Sequence, residues 1–323
     1  MISALETRIS STAFNVCLQF QRAPLHTGGS GQFSYIPPSL TDANFGAAIA
    51  TCLSTNPVDG MCSTSEFGAM PGWDVSRVTD MKEAFKDKSS FNADISGWNT
   101  SSVTSMNSMF LNSMFLNSMF RNASAFNQPL ATWNTASVTD MSSMFRSASA
   151  FDQPLATWNT ASVTNMYGMF WGASTFDQPL EAWNTSSVTN MRSMFSGASA
   201  FNQPLAAWNT ASVTNMYGMF WSASTFDQPL EAWNTASVTN MRSMFRITSA
   251  FNQPLEAWNT ASVTNMYGMF NRASAFDQPL AAWNTASVTT MGSMFYLAPA
   301  FDQDITGWLT PALLVGRCRL TPG

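Results

Sequence analysis

Hydrophobic positions along this chain fall into one pattern that returns every 25 residues. Read from Phe151, the unit places apolar side chains at Phe151, Leu155, Trp158, Val163, Met166, Met169, Phe170 and Ala173, and fills the intervals mostly with Asn, Asp, Gln, Ser and Thr. Trp133, Trp158, Trp183, Trp208, Trp233, Trp258, Trp283 and Trp308 keep that spacing, and Trp73 and Trp98 keep it upstream, so ten frames can be counted. The half from Pro154 to Val163 is rich in Thr, Val and Trp and bounded by Pro and Asn, which predicts short extended segments. In the other half Met166, Met169, Phe170 and Ala173 recur at i, i+3, i+4 and i+7, which predicts one short amphipathic helix. The residue before it is Asp140, Asn165, Asn190, Asn215, Asn240, Asn265 or Thr290, whose side chain can accept from the free amides of a first helical turn. Gln153 is held extended by Pro154, separating the helix of one unit from the strand of the next.

One such unit buries only one edge of its apolar set, so identical residues of adjacent units must stack and the array itself becomes the core. The expected fold is therefore an α/β repeat solenoid with short strands plus one short helix per 25-residue coil. At about 4.8 Å per coil, ten coils extend on the order of 45 Å. Residues 73–308 form the solenoid. Residues 40–72, with Leu40 to Ala50 reading as a capped helix, form an N-terminal helical cap. Residues 1–39, with Gly28-Gly29-Ser30-Gly31 and Pro37-Pro38, read as a flexible tail, and residues 309–323 as an irregular one. Between Trp98 and Trp133 the interval is 35 residues; the ten extra are copies of the word Asn107-Ser108-Met109-Phe110 within 107–120. They must bulge out or lengthen a helix, where each step of five turns the Met-Phe pair by about 140°.

Composition removes several function classes. Hydrophobic residues make up 45% and charged ones 10%, and the net charge is −5, so the basic footprint of a nucleic-acid binder is missing. No apolar run is long enough for a transmembrane segment, and Met1 to Arg8 lacks the apolar core of a secretory signal. Cys52 and Cys62 flank the turn-rich Asn56-Pro57-Val58-Asp59-Gly60, which leaves two readings: a disulfide, or two reduced and buried thiols. Cys17 and Cys318 lie outside the repeats without metal-site spacing.

The word Trp-Asn-Thr-Ala-Ser-Val-Thr-Asn-Met-x-x-Met-Phe, followed by Ala-Ser-Ala-Phe-Asn-Gln, resembles the bacterial surface protein 26-residue repeat, a family of unknown biochemical activity also widespread in predicted protist and algal proteins. The segment Ser162-Val163-Thr164-Asn165-Met166 with Met169-Phe170 is similar to the BspA-like leucine-rich repeat. The resemblance covers residues 41 to 308. It implies a leucine-rich-repeat-like solenoid, a cell-surface or extracellular location, and adhesion or protein recognition.

Catalysis requires titratable groups placed together, and the one histidine, His26, lies outside the repeats; no catalytic residue, metal site or cofactor is expected. Asp152, Asp177, Asp227, Asp277 and Asp302 occupy one position of the unit and invite a calcium reading, but Asn127, Asn202 and Asn252 stand at the same position and dilute the ligand charge. An Asx turn explains them equally. Fourteen methionines from Met141 to Met294 could offer thioethers to copper, yet their spacing with Phe reads as core. Thr160, Ser162, Thr164 and their equivalents form hydroxyl rows of the kind seen in ice-binding solenoids. Asn99, Asn122 and Asn184 open glycosylation acceptor triplets, which matter only in a secreted chain.

The informative positions are those that differ between otherwise repeated units. Positions 167, 192, 217, 242 and 267 run Tyr167, Arg192, Tyr217, Arg242, Tyr267, and those four later run Trp171, Ser196, Trp221, Arg246, Asn271. With the core face centred on Met166, Phe170 and Ala173, residues 167 and 171 project about 100° away from it. Stacked units would align Tyr167, Trp171, Arg192, Tyr217, Trp221, Arg242, Arg246 and Tyr267 into an exposed stripe with the composition of interface hot spots. The alternatives are that these aromatics lie over neighbouring helices and that the alternation records duplication of a 50-residue pair. The sequence thus points to a monomeric, non-enzymatic surface recognition or adhesion module with a protein or glycan ligand. An ice-binding or structural solenoid comes second, and a scaffold domain of a larger protein third.

Overall fold

A computed structural model of the chain describes residues 39–109 and 125–308, all within the compact unit Pro38–Gly323. The tail up to residue 38, residues 110–124 of the insertion region, and residues 309–323 lie outside the described residues, as do Cys17, His26, Asn122 and Cys318. Helix α1, Phe45–Thr55, is the one α-helix among the described residues, followed by a single 3-10 turn at Met70–Gly72. Asn44 stands at the start of α1, but its Oδ1 accepts from the Thr41 amide at 2.7 Å and makes no cap on the helix itself.

The short helix expected around residues 166–173 of each unit is not formed; the segment is a run of turns. Two residues per unit lie in the left-handed region: Gly168, Ser193, Gly218, Ser243, Gly268 and Ser293 at one position, and Gly172, Gly197, Ser222, Ile247, Arg272 and Leu297 at the other, with φ between 53° and 73°. An α-helix cannot pass through such residues. The amides, instead of bonding four residues back, leave the unit at every second position. Met166, Gly168, Phe170 and Gly172 donate to the carbonyls of Asn190, Arg192, Met194 and Ser196 at 3.0, 2.8, 2.9 and 2.7 Å. Between them, Met169 and Trp171 donate to Met166 and Gly168 in tight turns. A chain of turns three or four residues long shares the apolar spacing of a helix, which is why the pattern reads as one.

Units are joined in register. Eight parallel bridges run Asp80, Ser105, Asp140, Asn165, Asn190, Asn215, Asn240, Asn265 and Thr290. The Asx residue at the bridge accepts from the amide two residues on, as Asn165 Oδ1 does from Tyr167 at 3.1 Å, so it closes a turn where a helix cap was expected. The bridge from Ser105 to Asp140 and the stacking of Phe91 on Phe126 at 5.8 Å flank the insertion, so the ten extra residues do not shift the frame on either side.

Inside, each apolar position becomes a column. Val163, Met166, Met169, Phe170, Phe176 and Leu180 are fully buried, as are their equivalents in neighbouring units. The tryptophans stack ring on ring, Trp158 over Trp183 at 6.4 Å and 2°. A buried indole N–H needs an acceptor. From Trp158 on, each finds the leucine carbonyl of the preceding unit, Trp183 Nε1 donating to Leu155 O at 2.9 Å and Trp208 Nε1 to Leu180 O at 3.0 Å, while Trp133 donates to Ile95 O and Trp98 to Met70 O.

The first unit has no preceding one to accept from it, and Asp42 takes that place. In the interior the Thr164 amide donates to Thr139 O at 2.9 Å; at Thr79 the amide and hydroxyl donate to the Asp42 carboxylate at 2.7 and 2.6 Å, and the Asp80 amide joins at 3.1 Å. The Thr79 hydroxyl above all, then the two amides, hold the Asp42 carboxyl below its ordinary range. A carboxyl whose folded pKa is depressed contributes stability that is in place above the unfolded value and lost as pH falls through the folded one. Protection of the Thr79 and Asp80 amides, measured against intrinsic exchange at each pH, should therefore fall on acidification below about pH 4, and Asp42→Ala, which leaves no oxygen acceptor, should remove most of it already at neutral pH.

A second expectation concerns Ile247, a β-branched residue at φ 59° where the three units before it carry Gly172, Gly197 and Ser222. The left-handed region costs such a side chain about 1–2 kcal/mol, so Ile247→Gly should raise the unfolding free energy by about 1 kcal/mol in chemical denaturation.

Candidate functional site

The left-handed residues at positions 168 and 172 tie the intervening backbone to the next unit and leave the side chains at 167 and 171 outside the columns. Because register is kept, each such side chain meets its counterparts one unit up and down. Arg192 lies over the rings of Tyr167 and Tyr217, at 5.3 and 4.7 Å, and Arg242 over those of Tyr217 and Tyr267, at 5.7 and 5.0 Å. Five units thus carry one continuous file of alternating rings and guanidinium groups. The second file is paired instead of continuous: Arg246 covers Trp221 at 4.9 Å and Arg146 covers Trp171 at 3.9 Å, with the buried Ser196 between the two pairs. Tyr167 and Trp171 meet edge to face at 6.4 Å, joining the files.

All eight stripe residues named from the sequence are therefore gathered on one surface. Their exposure is smaller than a helix face would give. Tyr167, Trp171, Tyr217, Trp221 and Arg246 are half-buried because neighbouring files and guanidinium groups cover the rings, whereas Arg192, Arg242 and Tyr267 are exposed. Cation–π contacts of this kind contribute about 0.5–1 kcal/mol each at exposed sites. Sequence reasoning passed over Arg146 and Tyr296, which stand in the same positions of outer units and could have been found by continuing the count by 25. Burial pulls the Arg146 guanidinium down from its ordinary value, while the Tyr167 phenol beside it pushes the other way.

Charge is segregated along with the aromatics. Between residues 126 and 308 the basic residues are Arg146, Arg192, Arg242, Arg246 and Arg272, and the first four stand at the two stripe positions. The carboxylates lie at other positions of the unit, chiefly those of Asp152 and Glu181.

Other candidate chemistry resolves into structure. Asp152 Oδ1 accepts the Asp177 amide at 3.0 Å and Gln178 Nε2 at 2.9 Å, and Asn202 Oδ1 serves Asp227 and Gln228 in the same way. An oxygen acceptor suffices, so Asp and Asn interchange. Among the described residues no three His, Cys, Asp or Glu side chains come together to hold a metal. Met166 and Met169 and their equivalents are buried in the core columns. A cavity of about 450 Å³ beside α1 is lined by Asp42, Asp80, Glu83 and Asp87 with Lys82, Lys86 and Lys88, a mixed set without a nucleophile. Cys52, on the buried face of α1, and the buried Cys62 are joined as a disulfide with a Cα–Cα distance of 5.3 Å. Asn99 and Asn184 are exposed, each accepting through Oδ1 from the amide two residues on, in Ser101 and Ser186.

Residues 60–118, 112–205, 153–246 and 224–314 match the family described as "Mycoplasma protein of unknown function, DUF285". The chain belongs to that family. The overlapping matches follow the repeats along the chain. No curated protein and no solved structure matches it. No helix among the described residues is long and apolar enough to cross a membrane.

Proposed function

We propose that this member of the family is a non-enzymatic recognition module, a leucine-rich-repeat-like solenoid that binds a protein or glycan partner at a cell surface through the Tyr/Arg/Trp stripe. The observation that carries this reading is the pairing of Tyr167, Arg192, Tyr217, Arg242 and Tyr267 into one ordered file, at a position where units otherwise close to identical differ. Aromatic and arginine side chains held in place lose little freedom on binding. The likeness of the repeat word to bacterial surface protein and BspA-like repeats supports the surface location. The Cys52–Cys62 disulfide supports an oxidising compartment.

Substituting Tyr167, Trp171, Tyr217 and Trp221 together by Ala should weaken capture of a partner isolated from cell-surface extract by roughly 100-fold or more, with thermal unfolding followed in parallel. Undiminished affinity in a folded variant contradicts the reading.

A second reading rests on a different face. Ser162 and Thr164 are exposed, and their hydroxyls donate to Ala136 O and Thr139 O at 2.9 and 3.3 Å, so identical hydroxyl columns are fixed from unit to unit. Such an array suits a regular surface such as ice. Measurable thermal hysteresis that survives the four Ala substitutions would favour it over the stripe.

A further inference from the structure

We infer that the ligand of the stripe is a linear anionic polysaccharide carrying carboxylate or sulfate groups at a disaccharide repeat; this rests on the recognition reading above. Three observations lead there. First, Arg192 and Arg242 carry positive charge without a counter-charge: among the described residues neither makes an ion pair or a side-chain hydrogen bond. Arg246 adds a buried Nε with no partner among the described residues.

Second, the arginines are oriented by what covers them. Arg192 and Arg242 each lie between two tyrosine rings. Guanidinium donors all lie in the plane of the group, and a ring above and below its carbon accepts none of them at a polar atom, so its N–H groups are left to a ligand. A planar edge of parallel donors matches a carboxylate or sulfate. An ammonium would not be held in this way.

Third, the charges are spaced. Arg192 and Arg242 stand two units apart, about 10 Å at the rise of a parallel ladder, with Tyr217 between them. That is the length of a disaccharide. A polymer alternating a charged and a neutral sugar can place an anionic group at each arginine while the intervening sugar lies on the tyrosine. A flexible acidic peptide has no such fixed period, and its ordering would cost more.

The test uses the full chain and three immobilised probes: chondroitin sulfate, neutral dextran and polyglutamate. Wild type is expected to bind chondroitin sulfate, more weakly as salt rises, and to ignore dextran. Arg192→Gln with Arg242→Gln should lower that affinity roughly tenfold or more, and Arg192→Lys with Arg242→Lys should restore only part of it, because charge returns without the planar edge. Arg77→Gln, at the position of Ser162 and so off the stripe, should leave it unchanged. Because the substituted side chains are exposed, an unaltered thermal transition shows that the variants fold. Full chondroitin sulfate affinity in the folded Gln variant, equal loss in the Arg77 variant, or preference for polyglutamate overturns the inference. Dextran binding that depends on Tyr167 and Tyr217 also overturns it while leaving the stripe in place as the recognition surface, and so separates the two readings.

Discussion

Every second amide from Met166 to Gly172 leaves its own unit to reach a carbonyl of the next, and the rest of the molecule follows from that exchange. Backbone donors of one unit are satisfied only by another unit in register, so a single copy has no stable form of its own. Register in turn places each side chain against its counterpart, which is why the interior positions are filled by the same residue again and again: Trp on Trp, Phe on Phe, Leu carbonyl to indole N–H. A bond in the opposite direction, from the Thr164 amide back to Thr139 O, leaves the first unit's Thr79 without a preceding acceptor, and the Asp42 carboxylate accepts there and at Asp80.

Outside the columns, register acts without such restriction. Positions 167 and 171 are free to change from unit to unit, and their changes are complementary: ring then guanidinium, ring then guanidinium. The face bearing Ser162 and Thr164 stays nearly uniform, and the face bearing Tyr167 and Trp171 varies. Four of the five arginines between residues 126 and 308 stand on the variable one, while the carboxylates at positions such as Asp152 are occupied in bonding the next unit. A polar ladder and a recognition surface can thus coexist on one repeat because they use different positions of it.

The period, the core columns and the stripe residues were legible in the sequence because each depends on side-chain type at fixed spacing. What was not legible depends on backbone conformation. Met166, Met169, Phe170 and Ala173 satisfy the helix pattern as well as a helix does, and only Gly or Ser recurring at 168 and Gly at 172 and 197 hinted at left-handed residues that forbid it. Ile247, Arg272 and Leu297 at the same position hide that hint. The role of Asn165 was read as an acceptor correctly, but for a helix amide instead of the turn amide of Tyr167. Pairing within the stripe required register to one unit, which alternation of Tyr and Arg suggests but does not establish. For Cys52 and Cys62 spacing left two outcomes open, since ten residues of turn are compatible with both, and the structure has the bridge.

Amide hydrogen exchange along residues 190–222, resolved by residue, tests the central claim most directly. Bonding between units predicts alternation: the amides of Met191, Ser193, Phe195 and Gly197, and again of Met216, Gly218, Phe220 and Ser222, strongly protected, with faster exchange at Arg192 and Tyr217, whose amides reach only a side-chain oxygen. Unbroken protection across 191–197 and 216–222, together with a helical far-ultraviolet spectrum, would show bonds made within each unit and would contradict it.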